Sequence, residues 1–286
     1  QNGSSTVAAQ SSNRRSYRVD SVSLLAGFDQ FYGAEDMPNV EVVDLGRVPD
    51  TGTYDYNMFS FIHQKLNTIQ EPFLTFMFTS TNHSDFHLPS AKFERYPHDL
   101  KNYYGYLNSL IYVDNAIERF IEGVKKESWF DNTIFIFTSD HGSGNALGNI
   151  AKDLRPDDKI VSNIEGYRIP LIIYAPKIFK PKEIDILGSQ NDIKPTIIDL
   201  LGFENSFSSM GNSLFDESSK NRFVYTFGGD QIGLITEDCY IMFNYKDTTN
   251  SSCKDELKTK LEKELKAIDS FESYLLDKNR WLNIKE

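Results

Sequence analysis

One stretch constrains this chain more than any other: Thr133 to Asn145, reading Thr-Ile-Phe-Ile-Phe-Thr-Ser-Asp-His-Gly-Ser-Gly-Asn. Its first half is a short apolar run rich in Ile and Phe, the pattern of a strand buried on both faces. The run stops at Asp140-His141, and Gly142 and Gly144 let the backbone turn away. Ligands of an open α/β sheet bind just beyond the carboxyl ends of its strands. A carboxylate and an imidazole turned towards one point there suit a divalent cation with mixed oxygen and nitrogen ligands. The competing reading is a plain turn in which Asp140 caps a helix and His141 is solvated. The buried strand ahead of the pair weighs against it.

Charge and composition remove several function classes. The net charge of −11 over 286 residues gives no basic face for general nucleic-acid binding. With 21 Phe and 15 Tyr the chain can bury a large core, as one big α/β domain or two small ones. No apolar run is long enough to span a bilayer. The sequence opens on Gln1-Asn2-Gly3-Ser4-Ser5 without Met, as expected of a fragment with further chain upstream. Cys239 and Cys253 flank a polar loop, Lys246 to Ser252, which suits either a local disulfide or two separate thiols.

Read in order, residues 1–20 are Ser-, Asn- and Arg-rich and predict an irregular segment. Ser23 to Gly33 reads as a small apolar anchor and Glu41 to Val48 as a short strand. Met58, Phe59, Ile62, Leu66 and Ile69 recur at helical spacing over Tyr54 to Ile69. Phe73 to Thr79 reads as a second buried strand, and the loop after it holds His83 and His87. Leu100 to Lys126 is the strongest helix, with Leu107, Leu110, Ile111, Ile117, Phe120, Ile121 and Val124 on one face. Strand, helix and strand in this order predict a right-handed parallel crossover, which puts both histidines on the same sheet edge as Asp140 and His141. Asn145 to Tyr167 is a long charged loop of the kind that forms lids. Ile169 to Ala175 reads as a third buried strand and Asn191 to Leu201 as a helix. Arg222 to Phe227 and Gly233 to Tyr245 alternate like antiparallel strands, and Lys254 to Lys278 reads as a charged amphipathic helix.

Together these segments resemble the sulfatase branch of the alkaline-phosphatase superfamily, and within it the membrane-anchored phosphoglycerol and phosphoethanolamine transferases. The resemblance rests on Gly27-Phe28-Asp29, Thr81-Asn82-His83, Tyr112-Val113-Asp114 and Ser139-Asp140-His141-Gly142. It continues through Ile169 to Pro176, Asp192-Ile193-Lys194-Pro195-Thr196 and Gly211-Asn212-Ser213-Leu214. The fold it implies is α/β, a mostly parallel sheet flanked by helices, N-terminally incomplete and carrying a small antiparallel C-terminal portion. The implied layout is an irregular segment over 1–20, a partial catalytic domain over 21–220, and strands and a helix of the same domain over 221–286.

The resemblance also implies a site. Asp140 and His141 become ligands of a divalent metal ion, zinc, manganese or magnesium. His83 becomes the catalytic and substrate-binding contact to the transferred phosphoryl group, with His87 as a second catalytic candidate. The implied partners are a lipid head-group donor and a cell-envelope acceptor, on the outer side of a bacterial cytoplasmic membrane, with an anchor upstream of this chain. A Cys239–Cys253 disulfide fits that compartment. Family members carry their nucleophile and a further acidic ligand in an N-terminal segment that has no counterpart here, and no sulfatase-type Cys-x-Pro-Ser-Arg occurs. The resemblance therefore implies a half-site and an inactive isolated chain, with Thr6 as the one local alternative for the nucleophile. It also implies that the absent segment supplies a central strand. The rival readings are a hydrolytic sulfatase or phosphodiesterase, and a non-catalytic binding module.

Overall fold

The computed structural model describes residues 3–46, 49, 52–142, 164–204, 207, 209–216, 218, 222–228 and 230–278. The chain divides into two compact units, 1–180 and 181–286. The expected lid loop falls mostly at 143–163, outside the described residues.

The first unit is built on a parallel sheet whose middle strand the sequence hid. Strand β1 (Ser5–Gln10) lies between β2 (Gln30–Tyr32) and β3 (Phe73–Phe78), parallel to both. Residues 1–20 are therefore not irregular throughout. Val7, Ala8 and Ala9 are buried, and their small side chains let a strand run at the centre of the sheet without a conspicuous apolar signature. The expected strand at Glu41 to Val48 does not form over its described part, 41–46. Glu41 instead turns its carboxylate inward, accepting from Arg119 Nη1 at 2.7 Å and from the Tyr112 hydroxyl at 3.1 Å.

Helices α1 (Val19–Leu25), α2 (Asp55–Leu66) and α3 (Tyr103–Val124) complete this part of the unit. Helix α2 buries Met58, Phe59, Ile62 and Leu66, as its spacing predicts. Helix α3 buries a stripe centred on Tyr112, Ala116, Phe120 and Val124, one position round from the predicted face. The shift has a polar cause. Asn108 and Tyr112 are buried because each has a partner inside: Asn108 Oδ1 accepts from Arg95 N at 3.0 Å, and Tyr112 bonds Glu41. Val7 and Ala9 of β1 join the apolar cluster formed by α2 and α3, so both helices cover one face of the sheet.

Strand β4 (Phe135–Thr138), the organising strand, pairs antiparallel with β5 (Leu171–Tyr174). Among the described residues it has no hydrogen-bonded ladder to β3, so the expected parallel crossover is not closed. The two strands still start from one turn, because Phe73 meets Trp129 edge-on at 5.4 Å and Phe130 meets Phe135 at 5.5 Å. Nor are these strands buried on both faces: Leu74 is 47% exposed and Ile172 57% exposed. Only the helix side is covered.

In the second unit, helix α4 (Ile193–Leu200) precedes a four-stranded antiparallel sheet of β6 (Phe223–Gly228), β7 (Gln231–Thr236), β8 (Tyr240–Phe243) and β9 (Thr248–Ser251), in that order. Helix α5 (Asp255–Asp277) buries Leu261 and Leu265 in a cluster with Ile232, Leu234, Ile241 and Phe243. Gly233 sits where neighbouring strands close in; a Cβ there would stand 2.5 Å from Met242 Sδ. Cys239 and Cys253 form the disulfide, closing a loop of 14 residues' separation.

The two late sequence motifs are tied by one buried pair. Asp192 Oδ2 accepts from Ser189 N at 2.6 Å, and Oδ1 accepts from Asn212 N at 2.7 Å. Arg222 Nη1 lies 3.7 Å from Oδ1, with both side chains almost wholly buried. Replacing Asp192 by Ala leaves the Arg222 charge buried without its carboxylate, and the expected loss is about 3–5 kcal/mol. Urea unfolding of Asp192→Ala measures it, and a loss below about 1 kcal/mol contradicts the assignment. The disulfide predicts no titratable thiol in unreduced, denatured protein. Its reduction should lower stability by about 3 kcal/mol, the loop-closure value for a ring this size.

Candidate active-site edge

The candidate site residues lie past the carboxyl ends of β1, β3 and β4. After β3 the chain turns at Ser80 and Thr81, and His83 follows on the surface, its backbone N–H bonded to Ser80 O at 2.9 Å. His83 Nδ1 lies 2.6 Å from Ser84 O, a group that can only accept, so Nδ1 carries the ring proton. Nε2 hydrogen-bonds with the Tyr17 hydroxyl at 3.2 Å. The two rings stand 5.8 Å apart.

Tyr17 comes from the loop after β1, a part the sequence reading passed over. Tyr17 and Arg18 have φ of 56° and 57°, left-handed values that disfavour side chains with a Cβ by about 1–2 kcal/mol each. The loop is pinned on the side that leaves β1. Gln10 Nε2 donates to Asn13 O, and Arg14 N donates to Glu35 Oε2 at 2.8 Å while its guanidinium pairs with Asp36. Arg15 and Arg18 remain exposed. Arg14, Arg15 and Arg18 fall close together in a chain of net charge −11, a local concentration of cations that is readable in the sequence.

Asp140 and His141 follow β4 directly. His141 Nδ1 lies 2.8 Å from Gly142 O, so it too carries the proton, and Nε2 faces Asp140 Oδ2 at 3.4 Å. A carboxylate oxygen and a ring nitrogen thus stand side by side past the strand end. The side chains are 50% and 78% exposed, so the contact adds little to stability. Gly142 is required by close packing, since a Cβ would sit 2.0 Å from Gly166 O. The oxygen and nitrogen pair fits the donor preferences of a divalent cation but supplies only two ligands. Among the described residues no group of three or more His, Cys, Asp or Glu converges.

A link between the β3 and β4 loops runs through Tyr106. Burial and then the Asp140 charge raise its phenol pKa. Its ring packs edge-on against Phe86 at 5.7 Å, in the loop that carries His83. His87 is different. Both of its ring nitrogens are shielded from solvent, so it is poorly placed to meet an incoming substrate.

Thr6 sits at the opposite, amino end of β1. Its hydroxyl donates to Asp29 Oδ2 at 2.8 Å and accepts from Asp29 N at 2.8 Å. A cavity of about 350 Å³ opens beside it, lined by Thr6, Asp29 and Ile69 among others, away from the ends that carry the histidines. Thr6 is thus a clip between β1 and β2. Hydrogen bonds from its hydroxyl and backbone N–H lower the Asp29 pKa below the ordinary 3.8. A depressed folded pKa contributes stability above the unfolded value, lost as pH falls through the folded one. Thr6→Val should therefore be less stable than the parent at neutral pH, with the gap narrowing below about pH 4. Paired urea titrations at pH 7 and pH 3 measure this, and a gap that widens in acid contradicts it.

This α/β unit carries an Asp-His pair just past a strand end. The chain belongs to the sulfatase family, whose model matches residues 1–203. It is 26% identical over 250 residues to the lipoteichoic acid synthase-like protein YvgJ of Bacillus subtilis, covering 78% of this chain and 39% of that one. It is 24% identical over 254 residues to lipoteichoic acid synthase 1 of the same organism, covering 85% and 39%. The chain thus spans 39% of the length of these relatives. In fold it is similar to the lipoteichoic acid synthase LtaP of Listeria monocytogenes, with TM-score 0.71 and 22% identity over 96% of this chain and 70% of that one. It is likewise similar to an alkaline-phosphatase-superfamily protein of Vibrio parahaemolyticus, with TM-score 0.76, 21% identity and coverage of 97% and 66%.

Proposed function

We propose that this chain is the extracytoplasmic part of a metal-dependent transferase that moves a phosphoglycerol or phosphoethanolamine head group from a lipid to an alcohol acceptor in the cell envelope. The observation that carries the reading is the Asp140–His141 pair, aimed at a common point beyond β4. Its likeness to lipoteichoic acid synthases supports the head-group chemistry. A fold neighbour, the periplasmic domain of EptC from Escherichia coli, was solved in complex with zinc, with TM-score 0.51 and 17% identity. For this chain zinc, manganese and magnesium all suit the donor pair.

Asp140 and His141 would hold the cation, which when bound polarises a phosphoryl oxygen and an attacking hydroxyl. Around it the chain's own groups divide the work. His83 Nε2, with its proton fixed on Nδ1, takes up a proton as an alcohol adds, or as imidazolium offsets phosphate charge. Tyr17 orients that ring through its hydroxyl. The Cys239–Cys253 disulfide suits an oxidising compartment outside the cytoplasm. No helix among the described residues is long and apolar enough to cross a membrane, so the proposed anchor lies outside them.

The site in this chain is half a site. Catalytic centres of this kind generally use three or more protein ligands, and Asp140 and His141 make two. The break between the β3 and β4 ladders is consistent with a further strand belonging between them. We expect the 286-residue chain alone to turn over no chromogenic phosphodiester with added Mn²⁺ or Zn²⁺. Calorimetry should find weak Mn²⁺ binding that Asp140→Ala abolishes. Metal-dependent turnover that Asp140→Ala removes would mean a complete site, and release to water without an alcohol acceptor would favour a hydrolase. Mn²⁺ binding unaffected by Asp140→Ala would overturn the metal assignment.

A further inference from the structure

We infer that Asp55 is a positioning residue for the candidate site: its buried carboxylate fixes the β1 loop against the β3 loop and so sets Tyr17 on His83. This rests on the reading that His83 and Tyr17 face the transferred head group.

Asp55 opens α2 and has no exposed surface. Its Oδ1 accepts from Ser11 Oγ at 2.6 Å, from Ser80 N at 2.9 Å and from Thr81 N at 3.2 Å. Thr81 Oγ1 in turn accepts from Asp55 N at 3.0 Å, and the Ser11 and Ser80 hydroxyls meet at 2.8 Å. Ser11 is the first residue past β1, and Ser80 and Thr81 lie just past β3. From Ser11 the chain runs six residues on to Tyr17, and from Thr81 two on to His83, so one carboxylate clamps the roots of both loops. The segment leading into α2 is held to the same point. Thr53 N donates to Ser11 O at 2.8 Å, and a Cβ on Gly52 would stand 2.1 Å from that oxygen.

A mere core filler does not need this chemistry. A side-chain carbonyl or carboxylate oxygen can accept several converging donors at once, and the chain places one at a helix N-terminus, where backbone N–H groups favour negative charge. Among the described residues Asp55 has no ion pair. Burial raises its pKa against the opposing hydrogen bonds, the expected sign for a desolvated carboxylate held by donors instead of a cation. A loosened clamp lets the two loops drift apart, and displacements near 1 Å are enough to spoil a preorganised site.

The test is NMR on the intact 286-residue chain, reading the Tyr17–His83 ring-to-ring NOE, with the Phe59–Phe120 contact at 5.2 Å as the internal control of folding. Asp55→Ala should lose the first NOE and keep the second. Asp55→Asn keeps an acceptor oxygen at the Oδ1 position and should restore the ring contact. A Tyr17–His83 NOE undiminished in Asp55→Ala overturns the inference. If Asp55→Ala fails to fold, Ser11→Ala decides: it removes the shortest bond of the clamp, and an unchanged ring contact there overturns the inference equally. Titration with inorganic phosphate separates this from the functional reading. Wild-type His83 should shift on titration, and Asp55→Ala should weaken phosphate binding about tenfold, with Asp55→Asn within about twofold of the parent. A wild-type His83 that ignores phosphate overturns the head-group reading, while the NOE arm still decides the positioning role.

Discussion

Burying a carboxylate is among the least favourable things a fold can do unless donors replace the water it loses. At Asp55 the donors come from two separate elements, the end of β1 and the end of β3, and tie both to the start of α2. The arrangement is cooperative because each donor is itself fixed by a neighbour, as Ser11 and Ser80 are by each other. Much of the geometry at the carboxyl edge follows from this point. His83 is exposed while its loop starts from that buried point, and the left-handed turn at Tyr17 and Arg18 follows a loop whose root is held there as well.

The same device appears independently in the second unit. Asp192 accepts backbone N–H groups from two segments and is balanced by a buried Arg222. There, too, a carboxylate replaces a stretch of regular structure, joining the start of α4 to the loop at Asn212. Asp192 lies in a segment that marks the family in sequence, and Asp55 bonds another, Thr81-Asn82-His83, from outside it. Their side chains point into the protein, so part of that signature encodes how loops are held and not what they react with. Asp140, half-exposed past β4, is of the other kind.

How far the sequence could be read follows from side-chain size. Helices α2 and α5 were legible because Met58, Phe59, Ile62 and Leu66, and Leu261 and Leu265, announce their spacing. Strands β3, β4 and β5 were legible from Phe and Ile runs. Strand β1 was not, because Ser5-Thr6-Val7-Ala8-Ala9-Gln10 packs at the centre of the sheet with side chains too small to signal burial. The face of α3 was misplaced because Asn108 and Tyr112 are polar, and their partners Arg95 and Glu41 are not predictable from local pattern. Of the site, Asp140, His141 and His83 stood out by residue type and by position after a strand. Tyr17 and Asp55 did not, since their roles depend on contacts across 66 and 25 residues of chain respectively.

The antiparallel sheet of the second unit ends in two very different borders. Strand β9 is Thr-Thr-Asn-Ser, short and polar, with a register shift opposite it at Met242/Phe243 and the disulfide just beyond. Such a border offers a passing strand little to pair with. The opposite border, β6, carries Phe227 with 78% of its surface in solvent and Phe223 on the same side of the strand. If this unit self-associates during refolding or overexpression, growth will start from β6. A charged residue at Phe227 is then a better route to a soluble preparation than any change at the disulfide end.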